Sequence, residues 1–152
     1  MSKQSSLYCI GLLILGFLIG YFLEHARAGR TLAGAFAAFQ IRDLSESAER
    51  AQKAYNQESV PVAIYAMTEL LDRQQAAEKA GETAFLSRQI IATDLMLTHA
   101  RLAKLYGAAA QPNMITQHIT EALRYAKIDT NLAITNQDTL MSFLARIDKG
   151  AK

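Results

Sequence analysis

Few residues in this chain have the type and spacing to do chemistry. There are three histidines, His25, His99 and His118, and a single cysteine, Cys9. His99 and His118 fall on two helical stretches expected to pack side by side, so the two rings could approach each other. His118-Ile-Thr-Glu121 sets an imidazole and a carboxylate one helical turn apart, the spacing two ligands on one helix would need. A metal centre, however, asks for three or four ligands converging in a defined geometry. Polar residues on a packed helix pair are the simpler account. His25 abuts a long apolar run and reads as an interfacial residue, and Cys9 lies inside that run, so no intrachain disulfide can form.

Other chemistries find less support. A nucleophile needs a base held by a third group, and no serine sits in a Gly-x-Ser-x-Gly turn. The glycines gather in the first quarter of the chain, so no phosphate-cradling loop is present, and no carboxylate pair stands out for glycoside chemistry. Lys and Arg total 16 against 14 acids and are interspersed, without the basic stripe of a nucleic-acid binder. The expectation is therefore no enzyme activity, no catalytic, cofactor-binding or metal-binding residues, and no nucleic-acid partner.

The stretch that organises the chain is Leu7 to Leu23, part of an uncharged run bounded by Lys3 and Glu24. Twenty helical residues span roughly 30 Å, the thickness of a bilayer's hydrocarbon core, and a helix satisfies its own backbone groups there. The reading is a single-pass transmembrane helix, with Tyr8 at one end and Tyr21 and Phe22 at the other, where amphipathic rings favour headgroups. Gly16-Phe-Leu-Ile-Gly20 has a small-xxx-small spacing that would let a second membrane helix approach through Gly16 and Gly20. A cleaved secretory signal is the rival reading, because Ala26-Arg-Ala28 before Gly29 has the small-residue form of a cleavage site. Against it, the apolar core exceeds the ~7–15 residues usual for such a signal. Basic residues flank both ends, Lys3 on one side and Arg27 and Arg30 on the other. Orientation is thus nearly balanced, with a slight lean to an exported, periplasmic soluble part on a bacterial inner membrane.

Beyond the anchor the chain divides into a juxtamembrane Ala/Gly-rich linker, 24–42, and a helical domain, 43–152, after an N-terminal tail of residues 1–6. Ala, Leu, Gln, Glu, Lys and Arg dominate, and Pro61 and Pro112 are the only prolines, a composition that favours helix. Asp43 or Ser45 is expected to cap a first helix bearing Ala48, Ala51 and Tyr55. Pro61 falls in the first turn of a second, which carries Val60, Ile64, Met67, Leu70 and Leu71 and ends at Gly81. A third runs from near Thr83 to Tyr106 with Phe85, Leu86, Ile90, Leu95, Leu102 and Leu105 inward. Pro112 opens a fourth, with Ile115, Ile119, Ala122, Leu123 and Ala126 on one face, and Thr135 or Asn136 caps a last, bearing Leu140, Phe143, Leu144 and Ile147. The fold class is all-α.

Residues 96–129 carry Leu-Thr-His-Ala-Arg-Leu-Ala-Lys-Leu-Tyr-Gly-Ala, a short turn, then Met-Ile-Thr-Gln-His-Ile-Thr-Glu-Ala-Leu-Arg-Tyr-Ala-Lys. This hairpin resembles a tetratricopeptide repeat: Leu102, Ala103 and Tyr106 match first-helix positions, and Ile119 and Ala122 match the second helix. It departs at Ile115, where the family prefers alanine, and at Lys127, where it prefers proline. Residues 45–72 give a fainter second copy through Ala63, Met67 and Leu70. The resemblance implies a short TPR-like array, with a plain antiparallel helical bundle as the alternative. It also implies binding, since stacked hairpins leave a groove for a peptide or helix. The expected function is protein–protein interaction as an accessory subunit or assembly or scaffold factor of a membrane complex, with an unidentified protein partner and the lipid bilayer, through Leu7–Leu23, as its contacts. The alternative is a self-associating structural subunit of a membrane-anchored oligomer.

Overall fold

In a computed structural model of the chain, the residues described are 34–35, 37–81, 86–128 and 132–150. The anchor Leu7–Leu23, Gly16, Gly20, Cys9, His25 and Phe85 lie outside them. No described helix is long and apolar enough to cross a membrane. The chain divides into two compact units, Met1–Phe39 and Gln40–Lys152. In the first, residues 34, 35 and 37–39 are described, and all are helical.

All the regular secondary structure among the described residues of the second unit is helical. Its elements are α1 (40–57), α2 (Val60–Ala80), α3 (Arg88–Ala108), α4 (Pro112–Ala126) and α5 (Gln137–Gly150). The boundaries have local causes. Pro61 sits in the first turn of α2 and Pro112 opens α4, where a missing N–H costs nothing. Gly81 ends α2 at φ +89°, a conformation that side chains with a Cβ resist. Ser87 caps α3 by accepting from the Ile90 N–H at 3.3 Å. Asn136 caps α5, its Oδ1 accepting from the Thr139 N–H at 3.0 Å while Thr139 Oγ1 accepts from the Asn136 N–H at 3.2 Å, a reciprocal cap.

Two expected starts are corrected. Asp43 and Ser45 lie inside α1, which is already helical at residue 40, and α3 begins at Arg88, not near Thr83. Asp43 instead pairs with Arg73 of α2, which also binds Glu69 at 2.8 Å.

α3 is the centre of the unit. Thr98, His99 and Ala100 are consecutive and all buried, and three successive residues of a helix point about 100° apart, so α3 is enclosed on more than one face. It packs against α2, α4 and α5, most extensively against α4, to which the short connection Ala109–Gln111 joins it as an antiparallel hairpin. Its Leu95, Met96 and Leu102 are fully buried among Met67 and Leu70 of α2, Ala122 of α4, and Leu140 and Leu144 of α5. Buried alanines on every side (Ala51, Ala63, Ala92, Ala100, Ala103, Ala122) allow the helices to approach closely. Ile90 and Ile147, expected inward, are 50% and 38% exposed. Ile90 lies in the first turn of α3 and Ile147 in the last turn of α5.

Candidate functional site

The concentration of buried polarity lies where α3 meets α4. His99 and His118, 19 residues apart, come together with Nδ1 atoms 2.8 Å apart. Both are buried, at 4% and 7% exposure. At that distance one nitrogen donates and the other accepts, so a single hydrogen lies between them. His99 Nε2 is buried with no partner among the described residues. Either tautomer pair keeps this one bond, and the choice falls on the unpartnered His99 Nε2: an orphaned buried N–H is rarer than an unused lone pair, so His99 donates its Nδ1–H and His118 accepts.

The pair is the middle of a column of rings. Tyr106 stacks on His118 with centroids 5.3 Å apart and planes 8° apart, and Tyr125 stacks on His99 at 5.8 Å and 19°. The Arg124 guanidinium caps the column 4.0 Å from the Tyr125 ring centroid. The Tyr125 hydroxyl donates to Glu78 Oε2 of α2 at 2.8 Å, tying a third helix to the column. Burial, the His118 charge and Arg124 hold His99 down at about 4, with Glu121 opposing them. Burial also lowers His118, again against Glu121. Both rings are neutral at pH 7.

The arrangement is that of a hydrogen-bonded pair. Two nitrogens sharing a tetrahedral zinc, each about 2.0–2.1 Å from it, would stand about 3.3 Å apart. Glu121 turns to Arg124 at 2.8 Å, and no group of three or more His, Cys, Asp or Glu able to hold a metal occurs among the described residues.

A second polar cluster joins the ends of the unit. Asp148 of α5 accepts from the Tyr55 hydroxyl of α1 at 2.8 Å, from Lys104 at 3.1 Å and from Arg101 at 3.4 Å. Arg101 and Lys104 also lie over the Tyr55 ring, 5.5 and 5.2 Å from its centroid. Burial raises the Asp148 carboxyl, but the Tyr55 and Lys104 hydrogen bonds and the two cations outweigh it and leave it below the usual range. This cluster was invisible in the sequence, since 93 residues separate Tyr55 from Asp148. A cleft of about 150 Å³ lies between α1, α2 and α3, lined by Ile41, Leu44, Leu70 and Ile91, with the buried Gln74 Oε1 at its wall unpartnered among the described residues.

Of the residues weighed for chemistry, His99 and His118 are brought together, Glu121 is directed elsewhere, and His25 lies outside the described residues. The chain matches no family model, no curated protein and no solved structure.

Proposed function

We propose that this is a single-pass membrane protein whose helical unit binds another protein, as an accessory subunit or an assembly or scaffold factor of a membrane complex. The uncharged run Leu7–Leu23 carries the membrane half of this reading. The binding half draws on helix order. α1 and α2, then α3 and α4, follow as successive hairpins with α5 after them, a sequence consistent with a short TPR-like array. Val62 and Tyr65, one turn apart on α2, leave 47% and 72% of their surface exposed, an apolar spot suited to a protein contact. We place the unit on the exported side of a bacterial inner membrane, following the slight bias of the flanking charges.

The test is extraction of the tagged full-length chain in mild detergent, followed by the identity and stoichiometry of what copurifies. A stoichiometric membrane partner that is lost with Tyr65→Ala supports the reading. A clean monomer at native abundance overturns it. Self-association is the second reading, favoured by Gly16-x-x-x-Gly20. Gly16→Ile and Gly20→Ile should then reduce the oligomer size, and an unchanged size removes the anchor from that role.

A further inference from the structure

The histidine pair sits where α3 and α4 make their most extensive contact, and its geometry tolerates only one hydrogen between the facing nitrogens. We propose that His99 and His118 form a proton-operated latch: it holds α4 against α3 while the two Nδ1 atoms share one hydrogen, and acid releases it.

The steps follow from where protons can go. In the neutral pair, His99 donates through Nδ1–H and His118 carries its own hydrogen on Nε2. The lone pair left open is His99 Nε2, which is buried without a partner among the described residues. The first added proton, bound there, makes a buried imidazolium N–H with nothing to accept it. Passing the Nδ1 hydrogen across to His118 only moves the charge to the other buried ring. The second proton has no lone pair left except the one inside the hydrogen bond. Binding there sets two N–H groups on two cations face to face at 2.8 Å, and the rings must part. Water then reaches Ile119, Ala122 and Tyr125, now buried against α3.

The charges around the pair do not remove this conflict. On α4, Glu121 favours the protonated rings, but it is already bound to Arg124, whose own charge disfavours a cation on His99. On α2, Glu78 reaches the column only through the Tyr125 hydroxyl. On α3, Tyr106 supplies an uncharged ring stacked on His118.

Hydrogen exchange on the full-length chain in mild detergent, corrected for the intrinsic pH dependence of exchange, provides the test. Between pH 7 and pH 5 most carboxylates stay ionised; the Asp94 carboxyl on α3, which burial raises, is shared by the unmodified chain and the variants, so the difference between them isolates the histidine pair. Protection of the α4 amides should fall at least about tenfold across it. A double variant, His99→Phe with His118→Phe, keeps rings for Tyr106 and Tyr125 to stack on, has nothing to protonate, and should show flat protection. His118→Asn serves if the double variant does not fold: it keeps an acceptor facing His99, removes one titrating ring, and should show a shallower fall. Ring ¹⁵N shifts of the unmodified chain supply a second readout, in which both rings are expected to become imidazolium only as protection is lost. Flat protection in the unmodified chain overturns the latch, as does an equal fall in a non-titrating variant. Rings that protonate while α4 stays protected overturn it too.

Discussion

At the residue scale, buried polar side chains in this unit find one another across helices. Asp148 is the clearest test, since it holds three donors from two helices. Asp148→Asn keeps the shape but takes one carboxylate charge from Arg101, 13% exposed, leaving it the more distant Asp94. A loss of about 2 kcal/mol is expected, moderated by the partly solvated Lys104, and a urea midpoint measurement checks it. The carboxyl lies below its usual value in the fold, so its contribution is present at neutral pH and disappears as pH falls through that lowered value. In Asp148→Asn that part of the acid sensitivity should vanish. The approach of His99 to His118 was legible beforehand, because helical spacing puts both on facing stretches joined by a short turn. Glu78 with Tyr125, and Tyr55 with Asp148, were not. Polar pairs 47 and 93 residues apart leave no periodic signal.

At the element scale, helices were legible where a backbone-restricting residue punctuates them, as Pro61, Gly81 and Pro112 do. They were illegible where capping residues are abundant. Asp43 and Ser45 have the right side chains for a cap, but the preceding residues also favour helix, and Asp43 finds Arg73 instead. The close of α3 departs from the usual order of residues. The Gln111 N–H donates to the Tyr106 carbonyl and the Ala110 N–H to that of Gly107, the two bonds of a Schellman motif. Yet the left-handed position, φ +55°, is held by Ala110, while Gly107 sits within the helix. A Cβ on Gly107 would meet only Ile115 Cδ1 at 3.9 Å, an ordinary contact. Gly107→Ala and Ala110→Gly should therefore each stabilise the unit, by about 0.5–1 kcal/mol, read as a rise in melting temperature. At the other end, Asn136→Ala removes the α5 cap and should cost about 1 kcal/mol by the same measurement.

At the scale of the whole molecule, stability should depend on pH over a defined interval. His99 has its ordinary value of 6.5 when unfolded and about 4 when folded, so the unfolded chain binds the extra proton between them. Folding free energy is then fully present above about pH 6.5 and declines toward pH 4, by about 3 kcal/mol from this ring. Urea unfolding at a series of pH values checks the direction and the interval. The bond between Tyr55 and Asp148 has a further consequence, for the order in which the parts assemble. The α3–α4 hairpin closes over a few residues, whereas this bond must bring together points 93 residues apart, and the long closure comes late because its entropy is lost before its contacts form. Interactions absent from the transition state act on the unfolding rate alone. Asp148→Asn should thus speed unfolding and leave the folding rate nearly unchanged, whereas Leu102→Ala, inside the hairpin, should slow folding: the carboxylate acts as the clasp closed last, governing how long the folded unit survives once made.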